Sequence, residues 1–388
     1  MQSYCKNLSK RKKEKHFSFL SVKILSKSRK IQNKSRFIFI FECCNISKKE
    51  SFINQESFFS KTLSSQTNPT TMSNRIPQLD FLKGILMINV IMIHLIYLGQ
   101  CHPDFKLFLL LFTTPAFFII SGYLAHVNKP TKVFFKKVFW WLVPYVIMEG
   151  AYIIMASFLP IKEHIDHLTL GTFLHHLLLS PLGPYWYIHD LIIGYVGYYI
   201  IYKVAGKDRK RLQFVVALSA IVLQSCVFKF ISIQSCLFFC IGIIIKQTER
   251  NFILFFRSSW IALVLFLCLS YFHTYISISN LSKGVVLSFL FISSILVLYP
   301  HLPTRFTNCI HMIGRNTLAI LLFSPMFTII TKQFVPFLSF EPTAVLFTVV
   351  SIVFTIMGCF AVTYLMDICK ISPYFCGEER FWHCLTRT

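Results

Sequence analysis

The stretch Asp80-Phe-Leu-Lys83-Gly-Ile-Leu-Met-Ile-Asn-Val-Ile-Met-Ile-His94 is too apolar to rest in water, yet it carries three ionisable side chains. On an α-helix, at about 100° per residue, Lys83 and His94 differ by only about 20° in azimuth and stand about 16 Å apart along the axis. Asp80, Lys83, Met87, Val90 and His94 therefore share one stripe. An ionisable group inside a bilayer costs roughly 2.5–3.5 kcal/mol on insertion scales, so it usually faces a partner or a wet cavity. A simple membrane anchor has no use for that stripe.

Working outward, the whole chain shares this apolar character. Of 388 residues 55% are apolar and only 14% are charged, against about 25% charged in soluble domains. Mean hydropathy is +0.60. Runs of membrane length recur at about 80–99, 107–125, 138–159, 185–203, 212–228, 231–246, 252–272, 284–300, 312–331 and 343–366. The fold class expected is all-α, a polytopic membrane helix bundle of about ten transmembrane helices. The thirteen cysteines contain no Cys-x-x-Cys pair, so neither a zinc ribbon nor a disulfide framework is indicated. In the external segment 160–184, His164-x-x-His167 has no third ligand fixed by spacing, and no metal site is expected.

The formal charge of +23 has the size of a nucleic-acid signal but not its distribution. Residues 1–71 hold fifteen Lys/Arg and four Glu, hence +11; the remainder holds twenty-four against twelve, hence +12. The second group clusters in alternate loops: Lys129, Lys132, Lys136 and Lys137; then Lys203, Lys207, Arg209, Lys210 and Arg211; then Lys246 and Arg250. By the positive-inside rule both termini are expected in the cytoplasm, and the partner implied is a lipid bilayer rather than nucleic acid. Residues 1–71 read as a basic, disordered N-terminal arm or as sequence upstream of a true start at Met72. Residues 72–370 form the membrane domain and 371–388 a short cytoplasmic tail. The first residues show no signal-peptide pattern.

Four stretches carry a resemblance to a known family. They are Arg75-Ile-Pro-Gln-Leu-Asp80-Phe-Leu-Lys83-Gly84…His94, Pro115-Ala-Phe-Phe-Ile-Ile-Ser121-Gly122-Tyr123, Lys136-Lys137-Val-Phe-Trp-Trp-Leu-Val-Pro144-Tyr145 and Gly183-Pro-Tyr-Trp186-Tyr187-Ile-His-Asp-Leu191. A fifth, Ile313-Gly314-Arg315-Asn316-Thr317-Leu318…Ser324-Pro325, has Ser324 where members commonly carry His. In order and spacing over about 75–370 the chain resembles the acyltransferase-3 family of integral membrane acyltransferases. The branch most similar in appearance acetylates sugars of bacterial surface polysaccharides.

The resemblance implies an acyl-CoA donor, most simply acetyl-CoA, used as a substrate with no permanently bound cofactor. It also implies a hydroxyl acceptor on a surface glycan or lipid-linked oligosaccharide, and a place in the bacterial cytoplasmic membrane. Acyl transfer from a thioester needs a base to take the hydroxyl proton as oxygen attacks carbon, and a neutral buried imidazole suits that task. His94 is the histidine inside a span that also lies on the charged stripe. Lys83 is expected to orient a phosphate or stabilise negative charge, the alternative being a snorkelling interfacial lysine. Asp80, one turn earlier, is placed to pair with Lys83 or with Arg75.

Lys136 and Lys137 are candidates for the CoA nucleotide, though topology alone accounts for them. Arg75, Ser121, Trp186, Tyr187, Arg315 and Asn316 complete the substrate-binding candidates. For Ser121 the competing account is close helix packing; for Trp186 and Tyr187 it is an aromatic belt at the outer interface. The function expected is membrane-bound O-acyltransfer. The alternative from another class is a non-catalytic transporter or flippase of a lipid-linked glycan, which would more often show internal repeats with paired broken helices.

Overall fold

The computed structural model describes residues 75–158, 164–206, 209–223, 232–248, 250–272 and 279–381. The arm at 1–71 lies outside the described residues. Among them there is no strand, and the chain is an all-α membrane helix bundle.

Helix α1 runs Pro77–His94, α2 Ile96–Cys101, α3 Pro103–Leu124 and α4 Thr131–Phe158. They are followed by the short α5 (Leu170–Leu178), then α6 (Trp186–Ala205), α7 (Lys210–Leu223), α8 (Ile233–Gln247), α9 (Phe252–Phe256) and α10 (Trp260–Phe272). Then come α11 (Asn280–Leu298), α12 (Thr304–Arg315), α13 (Thr317–Ile330), α14 (Val335–Leu338), α15 (Val345–Ile368) and α16 (Ser372–Phe375). Over its described residues each expected span lies mainly on helix; residues 159, 224–228 and 231 of three spans lie outside the described residues. By length and composition, five stretches among the described residues are sufficient to cross a bilayer: Pro103–Leu124, Thr131–Phe158, Asn280–His301, Thr317–Leu338 and Val345–Ile368.

Several expected spans are broken or displaced. The first ends at His94, because Leu95 turns to extended backbone (φ −73°, ψ 113°) and its N–H donates to the Met92 carbonyl. Neither Pro nor Gly causes this break. Leu95 and Leu98 are buried with Ala344 and Phe347 of the distant α15 region, and that packing holds the turn. The seventh span divides at Arg257, which sits at φ +38°. The ninth span, with sequence bounds 312–331, begins at Thr317. Residues 304–315 form the separate amphipathic α12, which buries Thr307, Ile310, His311, Ile313 and Gly314 on one face.

The surface is that of a membrane protein. On α15, Val345, Val349, Val353 and Met357 are exposed at four-residue spacing, whereas Thr348, Ser351, Thr355, Cys359 and Thr363 face inward. Small residues inside and larger apolar residues outside suit lipid, where helix association depends on close packing rather than on hydrophobic burial. The tightest crossings use glycine. A Cβ at Gly122 would overlap the Phe239 carbonyl, and one at Gly242 the Ile119 carbonyl, so α3 and α8 touch backbone to backbone. A Cβ at Gly84 would overlap the Ile310 carbonyl, and one at Gly314 the Asp80 carbonyl. α12 is thereby drawn against the charged end of α1.

The segment after α4, expected as the longest external loop, tucks down along that helix over its described part. Tyr145 OH donates to the Leu177 carbonyl at 2.7 Å, and the Leu182 N–H donates to Glu149 Oε1 at 2.6 Å. His189 Nε2 lies 3.0 Å from the Leu178 carbonyl. Tyr145 and Glu149 sit mid-way along α4. Irregular backbone at membrane depth must find its hydrogen bonds within protein, and these buried polar side chains provide them. Residues 371–381, expected as the start of a cytoplasmic tail, are packed into the bundle wall. Asp367 Oδ1 accepts from Ser372 Oγ at 2.5 Å and from the Phe381 N–H at 2.7 Å, and Phe375 stacks on Phe323 at 6.0 Å.

Candidate functional site: two adjoining chambers

Two cavities lie side by side in the unit spanning 76–388. The first, about 250 Å³, is apolar apart from a few placed groups. Its wall includes Lys83, Met87, Val90 and His94 along α1, Ser121 on α3, and Trp186 and Tyr187 at the start of α6. The stripe of α1 thus forms one side of this chamber, as the continuous helix from Pro77 to His94 requires. Lys83 and His94 both line it, about 16 Å apart along the helix axis. One bound carbonyl cannot touch both.

The second cavity, about 310 Å³, is basic. Lys136, Lys137, Arg315 and Asn316 line it, with Trp140 and Trp141 from α4 and Cys376, Gly377, Glu378 and Phe381 from the segment after α16. Asn316 is buried at the break between α12 and α13, where its Nδ2 donates to the Met312 carbonyl at 2.8 Å. Lys136 is exposed, whereas Lys137 lies half-buried with its Nζ 4.7 Å from the centre of the Trp141 ring.

Asp80 links the two. Its carboxylate is buried, with Oδ1 2.7 Å from Lys83 Nζ and Oδ2 3.8 Å from Arg315 Nε. Arg315 faces the basic chamber and Lys83 the apolar one, so a single carboxylate spans the boundary between them. Glycines at 84 and 314 permit it, since any larger residue there would push α12 and Arg315 away from Asp80. Arg75 is exposed and lies two residues before the start of α1.

Ser121 and Gly122, adjacent in sequence, divide their labour. Gly122 makes the close approach to α8, while Ser121 faces the cavity with its Oγ 2.9 Å from the Tyr187 hydroxyl. That contact bears on the competing account of Trp186 and Tyr187 as an outer aromatic belt. Ser121 is three residues from the end of α3; Tyr187 packs on Phe117 and Phe118 at 5.8 and 4.7 Å and Trp186 on Phe118 at 6.4 Å, so both half-buried rings pack against α3. They reach it because the segment before α6 dips into the bundle, which no local pattern announces.

The profile of the acyltransferase domain matches residues 76–364. The chain belongs to the acyltransferase-3 family. Neither the curated proteins nor the solved structures yield a match to it. For a membrane acyltransferase, the residues that sequence reasoning did not single out are Trp141, Leu318 and the wall segment from Cys376 to Phe381. Trp141 and Leu318 belong to the third and fifth resembling stretches, but only their neighbours across the bundle give them a place. No periodicity marks the wall segment.

Proposed function

We propose that this acyltransferase moves an acyl group, in the simplest case acetyl, from acyl-CoA to a hydroxyl of a surface polysaccharide or its lipid-linked precursor. The observation that carries the reading is the pairing of chambers. A basic cavity suited to the phosphates of CoA adjoins an apolar one with His94 on its wall. Lys136, Lys137 and Arg315 supply cations at the first, where a polyanion is matched by several point charges and one planar guanidinium.

In this reading His94 is the catalytic base. The acceptor hydroxyl gives its proton to the imidazole as its oxygen attacks the thioester carbon. The carbon–sulfur bond then breaks, the ester forms, and the sulfur takes a proton to leave as the free thiol. Lys83 and Asp80 act as positioning residues, because about 16 Å of helix separates Lys83 from His94. They hold the donor end of the site through Arg315. Tyr187 and Trp186 present ring faces and a hydroxyl to the acceptor.

The orientation proposed places both termini in the cytoplasm of a bacterial inner membrane, with the basic chamber open to cytosolic donor. An impermeant thiol reagent applied to intact cells should then leave Arg209→Cys unmodified and label Leu168→Cys. The opposite pattern would invert the approach of the donor. The activity itself is tested with purified protein, radiolabelled acetyl-CoA and candidate glycans, scoring label transfer and free thiol together. Equal amounts of both support the reading. Intact acetyl-CoA with every acceptor, alongside movement of a lipid-linked glycan across vesicles, would replace it with transport.

A further inference from the structure

Among the described residues, Trp141 of α4 and Leu318 of α13 line both chambers. Resting on the two-chamber reading above, we propose that Trp141 and Leu318 form a neck through which the acyl-bearing arm of the donor passes, and that the indole seals that neck against water.

The geometry requires a passage here. Cations for the nucleotide phosphates lie on one side, at Lys136, Lys137 and Arg315, and the imidazole lies on the other. A thin, unbranched thioester arm that reaches from one to the other has to cross the wall they share. Trp141 is built as a fixed wall rather than a flap. Lys137 sits over its ring, and Tyr195 packs against it at 5.2 Å. Tyr195 is itself anchored, its hydroxyl donating to the His126 carbonyl at 2.7 Å and its ring stacked on Phe134 at 4.8 Å. Leu318 is held just beyond the break at Asn316, whose side chain is bonded to Met312.

A seal has a chemical purpose. Water entering from the basic chamber would compete with the acceptor hydroxyl: its oxygen would attack the acyl carbon, the carbon–sulfur bond would break, and carboxylic acid and free thiol would result. Excluding water from a site that holds a reactive acyl group prevents that side reaction. Trp141 and Leu318 therefore act as positioning and specificity residues, without a share in the proton transfer.

The test uses the full chain in lipid nanodiscs with acetyl-CoA and no glycan. Free thiol release and CoA affinity are measured for wild type, Trp141→Ala, Trp141→Phe and Leu318→Ala. Trp141→Ala should raise acceptor-independent thiol release by about tenfold or more, with CoA affinity within about threefold of wild type. Trp141→Phe, which keeps a ring in the neck, should stay near wild type, and Leu318→Ala should leak to a lesser degree. If Trp141→Ala fails to accumulate in the membrane, Leu318→Ala decides by the same criterion. A wild-type rate of thiol release in variants that bind CoA normally would overturn the neck while leaving the transferase reading intact. So would a loss of CoA affinity of about tenfold or more, which would make Trp141 part of the donor's grip. A wild-type protein that neither binds CoA nor transfers acyl groups would remove the transferase reading and the neck with it.

Discussion

The basic and apolar chambers share a wall but are assembled in opposite ways. The basic one draws its groups from the first turns of α4, the junction of α12 and α13, and the segment after α16. Those are helix ends and connections, where charge is readily solvated. The basic groups on the apolar wall, Lys83 and His94, come from α1, and the remaining lining comes from the middles and ends of apolar helices. A charge placed there costs a few kcal/mol, so each needs a counterpart or a task. Lys83 has Asp80 at 2.7 Å. For His94 the chamber itself is the counterpart proposed here. The contrast teaches that a basic residue at a rim is ambiguous between topology and ligand, whereas an imidazole on an intramembrane wall is much less so.

Substitutions on the two sides should therefore separate kinetically. The largest effect is expected at His94. His94→Ala should lower transfer by about 10²–10⁴-fold, the usual loss on removing a positioned general base, while CoA affinity and membrane abundance stay at wild-type levels. Near-normal transfer in that variant would break the assignment of chemistry to the apolar chamber.

Next is the carboxylate that belongs to both sides. Asp80→Asn keeps the shape but removes the charge facing Lys83 and Arg315. Hydrogen bonds to charged groups contribute about 1.5–3 kcal/mol each, so a loss of about ten- to a hundredfold in kcat/KM is expected. Both kcat and KM should change, unlike in any variant confined to one chamber. Gly314→Ala reaches the same pair through the backbone, since a Cβ there would collide with the Asp80 carbonyl. A destabilisation of about 1–3 kcal/mol, visible as a lower melting temperature, is expected. An unchanged melt would mean that α12 adjusts freely.

The smallest effects belong to the basic rim. Lys137→Gln should raise KM for acetyl-CoA by about three- to tenfold with kcat little altered, since its half-buried ammonium is only partly screened. Lys136 is exposed, and exposed ion pairs contribute about 0.2–1 kcal/mol. Lys136→Gln should raise KM by no more than about fivefold, an effect that fades with added salt. A fall in kcat for either variant, with KM unchanged, would dissolve the distinction between the chambers.

What the sequence determined by itself is what depends on a single helix. The apolar runs specify an all-α membrane bundle because spanning segments must satisfy their own backbone. The eleven-residue separation of Lys83 and His94 places both on one face because azimuth follows from the helical repeat alone. The tertiary structure decided what depends on which helices meet. The break after His94 is held by Phe347 from α15. Arg315 reaches Asp80 because Gly84 and Gly314 let two backbones touch. Trp186 and Tyr187 pack against α3 because Tyr145, Glu149 and His189 satisfy the backbone of a segment that descends beside them. Trp141 becomes a partition only where Leu318 stands opposite. Periodicity gives a residue its direction from the helix axis, but it carries no term for the neighbour found in that direction, and membrane helices, with lipid as apolar as their partners, choose neighbours by close fit.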